Sequence, residues 1–152
     1  MAHRVRSGDR LLREVCATVT MPPLPAEPLT VSHASAVFAR LAPLYGASAR
    51  EAFVVLTLDT QNKLRDLHVL SVGTLDASLV HPRDVFRPAI LASAAAIIIS
   101  HNHPSGNAEP SPQDIELTKR LVAAGKILDI AVLDHVIIGE GRYVSLHERG
   151  II

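Results

Sequence analysis

Two histidines separated by one residue, His101 and His103, and an aspartate further on, Asp114, are the side chains of this 152-residue sequence best spaced for chemistry. Side chains alternate along an extended segment, so His101 and His103 leave it on the same side, a few ångströms apart, as a pair of imidazoles able to grip one cation. Ser111-Pro112-Gln113-Asp114 reads as a helix start, with Ser at the N-cap, Pro at the first helical position and Asp at N3, where its carboxylate leans back over the end of the preceding strand. Two imidazoles and a carboxylate leave one tetrahedral position open for water, the arrangement of a catalytic rather than a structural zinc site. With eight histidines in the chain, a His-x-His pair alone is expected about 0.4 times in a shuffled sequence and carries little. Adding Ser111 and Asp114 at fixed spacing lowers the expectation to about 0.002. Each residue also has a plainer reading. Loop histidines make surface hydrogen bonds, and a Ser N-cap with an acid at N3 stabilises any helix start; for Ser111 and Asp114 the two roles coexist.

The elements that must position these groups follow from composition and periodicity. Ala94 to Ser100 is short, apolar and bounded by turn residues, as in a strand buried on both faces. After a Pro/Gly-rich loop, Ser111 to Ala124 reads as a helix with Leu117, Leu121 and Ala124 on one stripe. Gly125 is its expected stop, and Lys119 and Arg120 near its end compensate the dipole. Ala131 to Ile138, the turn Gly139-Glu140-Gly141 and Tyr143 to Ser145 form a hairpin. On that strand His135 reads as a structural histidine, and it is given no place among the ligands. Upstream, Ser32 caps a helix carrying Val37, Phe38 and Leu41 that Pro43 and Gly46 end. Glu51 to Asp59 and a run through Leu64, Leu67, Val69 and Leu70 make a second hairpin around Thr60-Gln61-Asn62. His81-Pro82-Arg83-Asp84 opens a helix that Pro88 bends. The sum is a mixed α/β domain with helices outside a central sheet. Residues 1–21 are an arm or docking helix, and Pro22, Pro23, Pro25 and Pro28 make an extended linker, so the expected division is 1–28 and a metal-binding domain at 29–152.

Composition narrows the function. Fifteen basic side chains balance fifteen acidic ones, and only 3% of residues are aromatic, with no Trp. Neither a global field nor base stacking therefore favours nucleic acid as a partner. One cysteine, Cys16, builds neither a disulfide nor a thiolate cage, which points to a reducing compartment and removes the Cys-x-x-Cys zinc deaminases. No His-Glu-x-x-His occurs, which removes the zincins. The aliphatic run Leu91 to Ile99 falls short of the roughly 20 residues that span a bilayer. Arg4, Arg6, Arg10 and Arg13 precede no signal-peptide core, so a cytoplasmic location without membrane association is expected.

His101-x-His103, seven residues, Ser111-x-x-Asp114 resembles the JAMM signature of the JAB/MPN metalloprotease superfamily. The stretches Glu51-Ala-Phe-Val-Val-Leu, His81-Pro-Arg-Asp-Val-Phe, His101-Asn-His-Pro-Ser-Gly and Leu133-Asp-His-Val-Ile-Ile-Gly are similar to segments of the bacterial RadC family over roughly residues 29 to 150. The resemblance implies a three-layer αβα fold like that of cytidine deaminases and a Zn2+ ion on His101, His103 and Asp114. It also implies that Glu51 is the catalytic glutamate, although sequence separation alone would not prefer it to Asp59. A carboxylate that is not a ligand can take a proton from zinc-activated water and return it to a leaving amine. Ser111 would hydrogen-bond the oxyanion formed on an amide carbonyl. The expected activity is hydrolysis of a peptide or isopeptide bond in a protein or peptide substrate. The helix-hairpin-helix region of full-length RadC proteins has no counterpart, so the family's DNA-repair label is expected to transfer poorly. Rival readings are a nucleic-acid-associated repair factor and a metal-binding interaction module without turnover.

Overall fold

The computed structural model describes residues 29–45, 50–73 and 80–152. The arm and linker expected at 1–28, and Cys16 with them, lie outside these residues. The described elements are α1 (Ala34–Tyr45), β1 (Glu51–Leu58), β2 (Leu64–Gly73), α2 (Pro82–Leu91), β3 (Ala96–Asn102), α3 (Pro112–Leu128), β4 (Ala131–Ile138) and β5 (Tyr143–Ser145). The strands form one sheet in the order β2-β1-β3-β4-β5. Only β3 and β4 run parallel. A parallel pair needs a crossover, and α3 supplies it. The loop from β3 into α3 therefore leaves the carboxyl end of a central strand, where open α/β sheets place their ligands.

Helices cover both faces of the sheet, which is why β1 beyond Glu51 and all of β3 are buried. On one face α1 packs Val37 and Leu41 over Leu56, Ile98 and Val136. On the other, α2 contributes Val85 and Phe86 and α3 contributes Leu117 and Leu121 over Phe53, Val55, Ile97 and Ile99. The result is the expected mixed α/β, three-layer arrangement. Among the described residues no helix is long and apolar enough to cross a membrane.

Several boundaries differ from the expectations. The helix α1 runs through Pro43 to Tyr45, because a proline removes one helical hydrogen bond and the buried Leu41 and Tyr45 hold the last turn on the core. Gly46, its expected stop, lies outside the described residues. Strand β3 is shifted to end at Asn102, since Phe53 of β1 still pairs with His101 and Ile138 of β4 with Asn102. Gly125 is not the stop of α3; the helix continues to Leu128 and closes on Asp129 in the left-handed region, φ 54°. Gly125 is required instead by the returning chain: a Cβ there would stand 2.5 Å from the Ile130 carbonyl oxygen. Lys119 and Arg120 thus sit mid-helix, and Lys126 is the basic residue of the last turn.

Candidate metal centre

The face of β3 toward α3 presents Ile97, Ile99 and then His101, so the first imidazole continues a buried apolar row. His103 lies one step past the strand, where its N–H donates to the Ile138 carbonyl (2.8 Å). Its Nδ1 lies 2.7 Å from the Asn107 carbonyl, which can only accept, so Nδ1 bears the proton and Nε2 presents a lone pair. That Nε2 stands 2.9 Å from Nε2 of His101. Asp114 comes from the first turn of α3. Ser111 N–H and Oγ–H both donate to Asp114 Oδ2 at 2.7 Å, and Asp114 N–H donates back to Ser111 Oγ at 3.2 Å, a reciprocal capping box. The carboxylate so held reaches His101 Nε2 with Oδ1 at 3.3 Å and His103 Nε2 with Oδ2 at 3.5 Å.

Metal–ligand bonds of 2.0–2.2 Å in tetrahedral geometry set donor atoms about 3.3–3.6 Å apart. Here the two imidazole nitrogens stand 2.9 Å apart and each has a different oxygen of Asp114 at 3.3 or 3.5 Å, so the three side chains crowd one point that a small divalent cation could share. Glu51 adds a fourth group, since one ligand atom each of Glu51, His101 and His103 lie within 4.8 Å of one another.

Electrostatics follow from this crowding. Burial raises the Asp114 pKa, but hydrogen bonds with His101, His103 and Ser111 outweigh it and hold the carboxyl far below the usual carboxylate range. The Asp114 contact lifts His103 above its ordinary value, partly offset by burial. Phe53 walls the site from below, its ring stacked on His101 at 6.1 Å and edge-on to His135 at 6.0 Å.

Of the five expected residues, Glu51, His101 and His103 bring ligand atoms within 4.8 Å of one another, and Asp114, held by Ser111, reaches both histidines. Ser111 spends its hydroxyl proton on Asp114. Asp59, the alternative to Glu51, lies away from this cluster: it follows the far end of β1 and accepts from the N–H groups of Gln61 and Lys63 in the hairpin turn. Asn102 and Thr118, which sequence reasoning passed over, and His135, read there as a structural histidine, belong to the same assembly. Asn102 points away from its histidine neighbours and clamps the backbone around Glu51, its Oδ1 accepting from Ala52 N–H (2.7 Å) and its Nδ2 donating to the Arg50 carbonyl (3.1 Å). His135 contacts His101 Nδ1 at 2.8 Å, and Thr118 contacts His135. Burial pushes the His135 pKa well below its ordinary value.

A three-layer α/β domain with histidines and carboxylates gathered where a central strand meets a helix has the architecture of a JAB domain with a candidate metal site. Comparison with known proteins agrees: the model of the RadC-like JAB domain matches residues 31–151, and the chain belongs to that family. It is 49% identical over 122 residues to a UPF0758 protein of Methanococcoides burtonii, covering 80% of this chain and 53% of that one. With a UPF0758 protein of Symbiobacterium thermophilum it is 50% identical over 117 residues (77% and 50%), and with one of Rubrobacter xylanophilus 56% over 103 residues (68% and 45%). The chain spans about half the length of the curated relatives it matches.

Proposed function

We propose that this chain is a zinc-dependent hydrolase of the JAMM type that cleaves a peptide or isopeptide bond in a protein or peptide substrate. The observation that carries the reading is the convergence of two imidazole nitrogens and a carboxylate, 2.9 to 3.5 Å apart, beside a further carboxylate. His101, His103 and Asp114 would hold the ion. When bound, zinc supplies a Lewis acid that lowers the pKa of water from 15.7 to about 7. Glu51, oriented by the Asn102 clamp on its two flanking peptide groups, takes the proton of the attacking water and returns it to the leaving amine. Ser111 holds Asp114 in register and turns its hydroxyl toward the oxyanion once a cation shares the Asp114 charge. The wall formed by Phe53 keeps bulk water from the imidazole side, which strengthens each of these interactions.

The test combines metal analysis with turnover. Purified protein is expected to hold about one zinc per chain. His101→Ala and Asp114→Ala lose it. Glu51→Gln keeps it while cleavage of a peptide and isopeptide library falls by about 10² to 10⁴. Full zinc in His101→Ala, or undiminished chelator-sensitive cleavage by Glu51→Gln, overturns the proposal.

A further inference from the structure

His135 and Thr118 are both fully buried and have no part in the proposed chemistry, yet they are joined to it by three short contacts. Thr118 Oγ1 lies 2.6 Å from the Asp114 carbonyl, one helical turn back. It also lies 2.6 Å from His135 Nδ1. His135 Nε2 lies 2.8 Å from His101 Nδ1. Donor and acceptor chemistry orients this chain from its backbone end. A carbonyl accepts only, so the single hydroxyl proton of Thr118 points to Asp114, and toward His135 the hydroxyl oxygen accepts. His135 Nδ1 therefore carries a proton. A second proton on this ring would make an imidazolium shut off from water with a hydroxyl and another imidazole as its partners, a costly state. The ring is neutral, and its Nε2 accepts from His101 Nδ1–H. That leaves His101 Nε2, the atom facing His103 and Asp114, without a proton. With the opposite polarity, Thr118 donating to His135, His101 would present an N–H to the cation position and could not ligate.

We propose that Thr118 and His135 are positioning residues that fix His101 in the tautomer whose Nε2 lone pair faces the ion. The chain begins on the backbone carbonyl of Asp114, so the residue that offers one ligand also sets the proton of another. Ligating histidines are commonly oriented by a carboxylate or carbonyl on the second nitrogen. Here an intervening imidazole and hydroxyl carry the same instruction across from helix α3 to strand β3 through β4.

This inference rests on the metal-binding reading, and its test separates the two. Zinc affinity is measured by competition with a chromophoric chelator for wild type, Thr118→Val and Thr118→Ser. In the zinc-loaded wild type, long-range proton–nitrogen NMR correlations locate the imidazole protons. Thr118→Val keeps shape and removes the hydroxyl, and it is expected to bind zinc at least about tenfold more weakly. Thr118→Ser restores the affinity, and His101 and His135 show protonated Nδ1. Unchanged affinity in Thr118→Val, equal losses in the Val and Ser variants, or a protonated His135 Nε2 overturns the relay while leaving zinc binding intact. A wild type that binds no zinc sinks the metal reading and the relay with it. The wild-type NMR measurement decides the matter even if Thr118→Val fails to fold.

Discussion

A proton and the proposed divalent cation would compete for the same point, the gap between His101 Nε2 and His103 Nε2. Asp114 makes that gap attractive to either, and its contact is the main reason the His103 value lies above 6.5. The sign for metal binding follows: below the raised His103 value the proton must be displaced, so apparent zinc affinity should fall about tenfold per pH unit there and level off above it. Chelator competition across that range checks this, and a flat profile down to about pH 5.5, a unit below the ordinary imidazole value, would contradict it. In the metal-free protein the same proton stabilises the fold. Because the folded value is raised, the His103 contribution is complete below pH 6.5 and is lost as pH climbs through the raised value. His135 opposes it, since its folded value is depressed: its contribution is complete above 6.5 and is lost as pH falls toward the folded value.

At the scale of elements, the site depends on glycines that let backbones close on one another. The loop carrying His103 is fastened to the β4–β5 turn, with His103 N–H donating to Ile138 and Glu140 N–H to the Gly106 carbonyl (2.9 Å). A Cβ on Gly139 would collide with that same Gly106 carbonyl oxygen. Gly139→Ala is therefore expected to cost about 1–3 kcal/mol of stability and to weaken zinc binding with it. Gly125→Ala meets the Ile130 carbonyl at the other end of α3, so a similar stability loss should leave zinc affinity nearly unchanged. Denaturant titrations with and without zinc separate the two. Much of this architecture is legible in the residues. Both hairpins, the buried strand and the capped start of α3 announce themselves through alternation, apolar runs and Ser-Pro-x-Asp. The place of His135 does not, because β4 breaks its own alternation. Ile97 pairs with Val132 but Ile98 with Asp134, leaving Leu133 as an extra residue. This bulge turns His135 to the face of β3 that carries Ile99 and His101, and Leu133 joins the opposite core. Strict period-two reading puts Asp134 on the Val132 face instead. Gly125 misleads for a related reason, since a glycine required by a neighbouring chain looks the same as one required by a helix end.

At the scale of the molecule, the apolar core extends well beyond the candidate metal site. Both apolar layers, Val37 and Leu41 above the sheet and Phe86 and Leu121 below it, are complete apart from the site. Fully burying each such side chain contributes about 1.5–3 kcal/mol. A small zinc finger lacks such layers and unfolds when stripped. This domain is expected to stay folded and to lose only what the ion adds by binding the native state. At free zinc about a hundredfold above Kd that increment is about 2.7 kcal/mol. Each kcal/mol moves Tm by about 4 °C in a domain of this size, so chelation should lower Tm by about 10 °C while one cooperative transition persists. The ion would bridge β3 and α3 with β1 alongside, elements already joined by the sheet and the crossover, so its gain is a shift of the whole transition and not the rescue of one segment. Scanning calorimetry with and without chelator checks this: a lost transition would mean that the core cannot stand alone, and an unmoved one that no ion is held.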